Sequence, residues 1–322
     1  MTYANAKYIT IDEIPVIDVA PLLLDDAAGL AIVAKQMLGA AESIGFFYVK
    51  NHGIAQEILD RTDAAARAFF AHSLEEKQQV KPLDRHRGFL SVGQAKMYDM
   101  AKVDLKESFI WGLDIDESDP DYRAGNRMFG PNRWPPFAPA MRPAFNAFFD
   151  AANLCGQRLL RAFAASLGVA PDYFTRSFKK PVTRGTVVYY PPQPADAGDD
   201  QFGVAPHTDY GTITLLYQDQ IGGLQVWSRK KEWVTAHPIP DTLVINVGDL
   251  LARWTNDRFH STPHRVVNKS GRERMSIVAF VDPDFDTAIV PVVKVGEQAR
   301  YEPVTCGDYI LGRFDKAFAY RK

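Results

Sequence analysis

Seven histidines and 39 acidic residues are spread over 322 positions, and one His-acid pair sits where it could hold a metal. The segment PHTDYGTIT carries His207 and Asp209. On an extended backbone, residues i and i+2 point to the same side, so this imidazole and carboxylate can reach one ion. A third ligand must come from elsewhere, and STPHRVV offers His264 on a later strand. Two imidazoles and one carboxylate form a facial triad that leaves coordination positions open, the ligand set of non-haem Fe(II) oxygenases. Oxygen and a substrate or cosubstrate need those open positions.

The pair alone carries little weight. A chain of this composition holds about one His-x-acid pair by chance, and Asp209 then reads as a turn residue and His207 as a strand-end histidine. The surroundings add the weight. Arg274 and Ser276 follow His264, with the turn signal Asn268–Gly271 between them, so residues 264–280 read as a β-hairpin. An Arg and a Ser on one face can clamp a carboxylate beside the metal, the Arg through its planar fork and the Ser through its hydroxyl. The blander alternative, a structural ion pair for Arg274, fits less well in a strand rich in valine and isoleucine. If His264 and Arg274 share the interior of one hairpin, the loop must hold an odd number of residues. An even loop would set His264 opposite Met275 and turn Arg274 outward.

These groups need a scaffold. The first half reads as mainly helical, with Asp25 and Asp26 as caps for a helix from about Ala27 to Ser43. A buried strand follows from Phe46 to Lys50, then a helix from Ala55 to Phe70. The clearest helix runs from about Pro139 to Leu167, where Phe145, Phe148, Phe149, Ala152 and Leu159 recur near helical spacing and Gly168 gives a stop. Residues 80–135 are irregular, with a strand-like piece at Ser108–Trp111.

From about residue 184 the pattern becomes short strands bounded by Gly, Pro, Asn or Asp: Thr186–Tyr190, Thr212–Tyr217, Gly223–Trp227, Trp233–Ala236, Thr242–Val247, His264–Val267 and Met275–Val281. So many strands in so short a span point to a sandwich or jelly roll and away from a βαβ fold. The expected fold class is α+β, an antiparallel β core flanked by helices. Its regions are 1–135 (helical and mixed, packing on the core), 136–180 (a bracing helix), 181–285 (the core) and 286–322 (a strand and a helix), within one structural unit.

Composition narrows the function classes. A net charge of −2 and a pI near 6.4 leave no electrostatic footprint for nucleic acid or an anionic membrane. The two cysteines, Cys155 and Cys306, are too few for a disulfide framework. The first residues lack a basic region followed by an apolar run, and no apolar stretch reaches membrane-spanning length. The expectation is a cytoplasmic protein with no nucleic-acid or membrane partner.

Taken jointly, the motifs are identified with one family. The opening IPVIDVAPL with GFFYVKNHGI, and later VVYYPPQP, HTDYGTITLLYQD, GGLQVW, LVINVGDLLARWTNDRFHSTPHRVV and RERMSIVAFVDP, resemble the isopenicillin-N-synthase-like branch of the Fe(II)/2-oxoglutarate-dependent oxygenases. The resemblance implies a double-stranded β-helix, a jelly roll, with His207, Asp209 and His264 as iron ligands. It implies that Arg274 and Ser276 grip the distal carboxylate of 2-oxoglutarate, that Tyr190 helps hold it, and that Phe280 lines the substrate pocket. The cofactors implied are Fe(II), 2-oxoglutarate as cosubstrate and O2, with ascorbate as an optional reductant. A small-molecule substrate would be hydroxylated, desaturated or cyclised while succinate and CO2 are released. One position departs from the pattern: many 2-oxoglutarate users carry an Asn where this chain has Val188.

Rival readings are a same-fold iron oxidase that uses no 2-oxoglutarate, a zinc hydrolase, and a non-catalytic binding protein on a decayed site. Other residues read more plainly. His52 ends a strand, His260 is a remote spare ligand, and His237 lies on a surface loop. His72 and His86 have no evident partners. Trp227, Trp233 and Trp254 belong to the core. Arg87 and Arg184 are expected to be exposed, with a substrate acid as the sharper alternative, and Met97–Lys106 is a candidate lid.

Overall fold

In the computed structural model, which describes residues 14–24, 26–83, 85–94, 103–193 and 201–317, helix α1 (Ala27–Ser43) starts at Asp26. The Asp26 side chain accepts the backbone N–H of Ala28 at 3.0 Å, satisfying an amide that a helix start leaves unpaired. The helix gives way to Gly45, at φ +69°. There a Cβ would stand 1.9 Å from the His260 carbonyl, so only glycine fits. Asp25, the other expected cap, lies outside the described residues.

The remaining helices are α2 (Gln56–Phe70), α3 (Leu74–Gln78), α4 (Pro120–Arg123), α5 (Met141–Leu167), α6 (Asp249–Trp254) and α7 (Cys306–Ala317). The strands are β1 (Val16–Asp18), β2 (Phe46–Lys50), β3 (Gly88–Leu90), β4 (Glu107–Gly112), β5 (Arg184–Tyr190), β6 (Val204–His207) and β7 (Ile213–Gln218). They continue with β8 (Leu224–Trp227), β9 (Trp233–Thr235), β10 (Thr242–Val247), β11 (His264–Val266), β12 (Arg274–Val281), β13 (Ala288–Ile289) and β14 (Val304–Thr305).

Two sheets form the jelly roll. The larger runs β1-β2-β10-β7-β12-β5-β4-β3 and the smaller β6-β11-β8-β9. Four strands from the first half, β1 to β4, thus complete the edges of the larger sheet. Pleating divides its side chains between two cores. Phe47, Val187, Leu215, Ile245 and Ile277 face the helical layer, where they join Met37 of α1 and Phe148 and Phe163 of α5. Phe46, Val188, Tyr190, Val244 and Val278 face the smaller sheet and meet Val204, Leu224, Val226 and Val266. The helices brace one side of the large sheet, and the site occupies the other.

The expected hairpin over 264–280 is not formed. β11 pairs with β6 and β8 in the small sheet, whereas β12 pairs with β5 and β7 in the large one. Residues 267–273 carry the chain between layers, and the Asn268 amide closes the crossing by donating to the Arg272 carbonyl at 2.7 Å. The turn signal was read correctly as a turn but wrongly as a hairpin, because a jelly roll sends successive strands to opposite sheets. Loop parity therefore does not arise: His264 and Arg274 face one interior because the two sheets face each other.

Candidate metal centre and cavity

His207 ends β6 and pairs in register with His264, the first residue of β11, which brings the ring centroids to 4.2 Å. Each ring is oriented by a carbonyl two residues back. Nδ1 of His207 lies 2.9 Å from the Ala205 oxygen, and Nδ1 of His264 lies 3.2 Å from that of Thr262. Such contacts fix the tautomer and leave Nε2 free to bind a metal.

Asp209 reaches the site differently from the expected strand alternation. It lies beyond β6, in the turn before β7. The start of α6 seats this turn: the N–H groups of Gly248, Asp249 and Leu250 donate to the carbonyls of Thr212, Asp209 and Gly211 at 2.9, 2.7 and 3.0 Å. The carboxylate then divides its work. Oδ2 accepts from Thr214 Oγ1 at 2.5 Å and from Asn246 Nδ2 at 2.8 Å. Oδ1 lies 3.7 Å from Nε2 of each histidine. Neither Thr214 nor Asn246 carried a sequence signal, since each is an ordinary polar residue in an apolar strand.

Burial, and next the neighbouring His264, hold His207 down at about 3 against the pull of Asp209, so its imidazole is neutral at pH 7. Burial alone would raise Asp209. The two imidazoles and the hydrogen bonds from Asn246 and Thr214 outweigh it and keep the carboxyl below its ordinary value. Two imidazoles and one carboxylate, with donor atoms within 4.8 Å of one another, fit one divalent ion with coordination positions to spare. Among the described residues, this is the one His, Cys, Asp and Glu cluster suited to a metal.

The triad opens into a cavity of about 170 Å³. Its floor is the β5–β12 ladder, whose inward pairs are Arg274 with Tyr190, Ser276 with Val188, Val278 with Thr186, and Phe280 with Arg184. Arg274 is 1% exposed. Its Nε donates to the Gly222 carbonyl at 2.5 Å, and its Nη atoms reach Ser276 Oγ at 3.4 Å and Gln218 Oε1 at 3.3 Å. The guanidinium lies 4.6 Å above the Tyr190 ring. All these partners are neutral. Val188 puts a methyl-bearing wall beside Ser276, where an Asn would have offered an amide.

At the other end, Phe280 lines the cavity, and Arg184 is buried there where exposure was expected. Arg184 is 5% exposed and donates from Nη2 to Asp282 Oδ2 at 3.2 Å. Its partner makes burial tolerable, and the rings of Phe280 and Phe314 cover it. Arg87 is buried too, donating to the Met128 carbonyl at 2.9 Å.

His86, Lys106, Tyr210 and Phe314 also line the cavity, and sequence reasoning gave none of them a role there beyond Lys106 in the candidate lid. Of that lid, residues 97–102 lie outside the described residues. The remaining histidines stay out of the cluster. His52 is buried, its Nδ1 accepting from the Ile54 N–H at 3.2 Å, and His237 and His260 are exposed. Trp233 and Trp254 are core residues. Cys155 and Cys306 are free and buried. Among the described residues, no helix is long and apolar enough to cross a membrane.

Comparison with known proteins bears on this geometry. The 2OG-Fe(II) oxygenase superfamily matches residues 185–283, and the family described as non-haem dioxygenase in morphine synthesis N-terminal matches residues 14–137. The chain is 34% identical to the 2-oxoglutarate-Fe(II) type oxidoreductase hxnY of Emericella nidulans, over 96% of this chain and 92% of that one. It is 30% identical to a homoarginine-6-hydroxylase of Glycine max, over 93% and 96%. A full-length Neurospora crassa protein in complex with alpha-KG and thymine superposes with a TM-score of 0.83 at 29% identity, covering 96% of this chain and 98% of that one. The two family matches, the full-length relatives and the shared fold lead to one conclusion: the chain belongs to the Fe(II)/2-oxoglutarate-dependent oxygenases.

Proposed function

We propose that His207, Asp209 and His264 hold the Fe(II) of this dioxygenase, and that Arg274, Ser276 and Tyr190 hold the far carboxylate of 2-oxoglutarate. One observation carries the reading. Arg274 is a buried cation whose hydrogen-bond partners among the described residues are all neutral. Burying a charge without a counter-charge costs several kcal/mol, so an anionic ligand is what this end of the cavity is built to receive. The Tyr190 face stabilises the same cation from below. When bound, Fe(II) supplies the activation of O2, coupled to decarboxylation of 2-oxoglutarate to succinate and CO2.

The chain's own part is positioning. The Ala205 and Thr262 carbonyls aim the imidazoles, and Thr214 with Asn246 holds one carboxylate oxygen so that the other faces the ion. Val204, Leu216, Leu224 and Val266 line the cavity with apolar surface that keeps the centre dry. A substrate of small-molecule size suits a cavity of about 170 Å³, and thymine, the ligand of the Neurospora relative, is of that size. Two buried free thiols suit a reducing, cytoplasmic setting.

The test is anaerobic. Adding Fe(II) and then 2-oxoglutarate to metal-free protein should produce a weak metal-to-ligand charge-transfer band in the visible. Arg274→Ala should abolish it at the same cosubstrate concentration. Iron binding without a band in the wild type would instead favour an oxidase that uses no 2-oxoglutarate, and failure to bind iron would remove the triad assignment.

A further inference from the structure

Among the described residues, three cations line the cavity, and they differ in what balances them. Lys106 has Asp104 at 3.4 Å, Arg184 has Asp282 at 3.2 Å, and Arg274 has neutral partners only. Once an anion sits on Arg274, the lining needs no second one. Yet Arg184 keeps hydrogen-bonding capacity. Asp282 takes one contact from Nη2, and Nε is buried with no hydrogen-bond partner among the described residues. Its guanidinium carbon lies over two cavity-lining rings, 5.2 Å from the centre of Phe280 and 4.6 Å from that of Phe314. Phe314 comes from α7, and its ring also lies tilted against His86, with centroids 4.5 Å apart. Three separate segments thus converge on one guanidinium at the end of the ladder away from Arg274, roughly 20 Å along the strand at about 3.3 Å per residue.

We propose that Arg184, walled by Phe280 and Phe314, is the substrate-reading residue, and that the substrate is a small, neutral, flat ring bearing a conjugated carbonyl. The inference rests on the iron and 2-oxoglutarate assignment above. The rings favour a flat partner, and the guanidinium fork favours an in-plane oxygen acceptor. The paired charge favours a neutral molecule over an acid, because an added anion would compete with Asp282. Spare buried donors also make the site selective. A ring without the carbonyl leaves them unmet, and such a mismatch discriminates far more strongly than a missing methylene.

The experiment uses the anaerobic holoenzyme with Fe(II) and 2-oxoglutarate, whose charge-transfer band shifts when a molecule enters beside the metal. Three probes of similar size are titrated: uracil as the neutral conjugated carbonyl, benzoate as the acid, and benzyl alcohol as the ring without a carbonyl. Uracil should perturb the band most tightly. Arg184→Lys, which keeps the charge for Asp282 and therefore the fold, should weaken uracil by roughly tenfold or more while leaving the affinity for 2-oxoglutarate unchanged. Rescue of uracil binding by Lys, tighter binding of benzoate, or no response to any probe with the band intact would each overturn the proposal. Absence of the band in wild-type protein would overturn the cosubstrate assignment instead, and is read before any probe is added.

Discussion

The two ends of the β5–β12 ladder carry the same device, an arginine laid on an aromatic ring, in opposite electrostatic states. Arg274 rests on Tyr190 with only neutral partners, whereas Arg184 rests against Phe280 and Phe314 with Asp282 as counter-ion. One end therefore lacks an anion until a ligand brings it, and the other is complete in charge and short only of an acceptor. Residue type alone does not set what a buried arginine recognises; the group that already neutralises it does.

Asp282 makes the Arg184 end structural as well. It is fully buried, and its Oδ1 accepts from the Thr212 backbone N–H at 2.7 Å and from Thr212 Oγ1 at 3.1 Å, on the turn that carries Asp209. Arg184→Met would leave that carboxylate uncompensated, an expected loss of about 3–5 kcal/mol of stability. Arg274→Met removes a cation that has no protein counter-charge, and should leave the metal-free protein at least as stable as wild type. Paired thermal melts of the two apoproteins decide the matter. Equal losses would break the contrast.

Ligand binding should reverse the ranking. Arg274→Met is expected to weaken 2-oxoglutarate by about 2–4 kcal/mol, as truncating one side of a buried charge pair does, measured by titration of the anaerobic charge-transfer band. Asn246→Leu sits between the two ends. It removes one of the two donors on Asp209 Oδ2, and should weaken Fe(II) by roughly 10–100-fold without separating the ends. Tyr190→Leu should cost 2-oxoglutarate about 0.5–2 kcal/mol, the range of a cation–π contact or of one hydrogen bond. No loss would remove Tyr190 from the carboxylate site.

The Arg274 end was far more legible in the sequence than the Arg184 end. Arg274 and Ser276 form a local pattern near a ligand histidine, at the head of a strand otherwise made of Met, Ile, Val, Ala and Phe. Arg184 opens a strand with no motif around it. Its partner Asp282 and its cover Phe314 come from later segments, so exposure was the natural reading. The same limit explains the missing hairpin: local turn chemistry at Asn268–Gly271 says that the chain reverses, but not which sheet receives it. It also explains Asp209, whose place depends on amides from α6 that no spacing announces. Helix α5 was read to within a few residues because its apolar face is encoded locally, and α1 because an aspartate caps its start.

The smallest expected effect tests whether the Arg184 end can open by itself. Cys306 begins α7, whose Phe314 covers Arg184. Burial pushes its thiol well above the ordinary range, with Asp282 adding to the shift and Arg184 opposing it. Burial likewise raises Cys155, on α5, to about 12. Thiolates are the reactive species, so neither cysteine should react with a neutral disulfide reagent near pH 8 unless the structure opens. A thiol raised from 9.0 to about 12 on folding favours the native state fully below pH 9, and that contribution fades as pH climbs toward 12. Labelling at pH 8 therefore reports opening and not alkaline unfolding. If α7 moves independently, Cys306 should label before Cys155. A molecule bound at Arg184 should slow Cys306 by a few-fold, and 2-oxoglutarate at Arg274 should change it little. Equal, ligand-insensitive rates for the two thiols would mean that α7 leaves only with global unfolding, and that the two ends differ in charge but not in mobility.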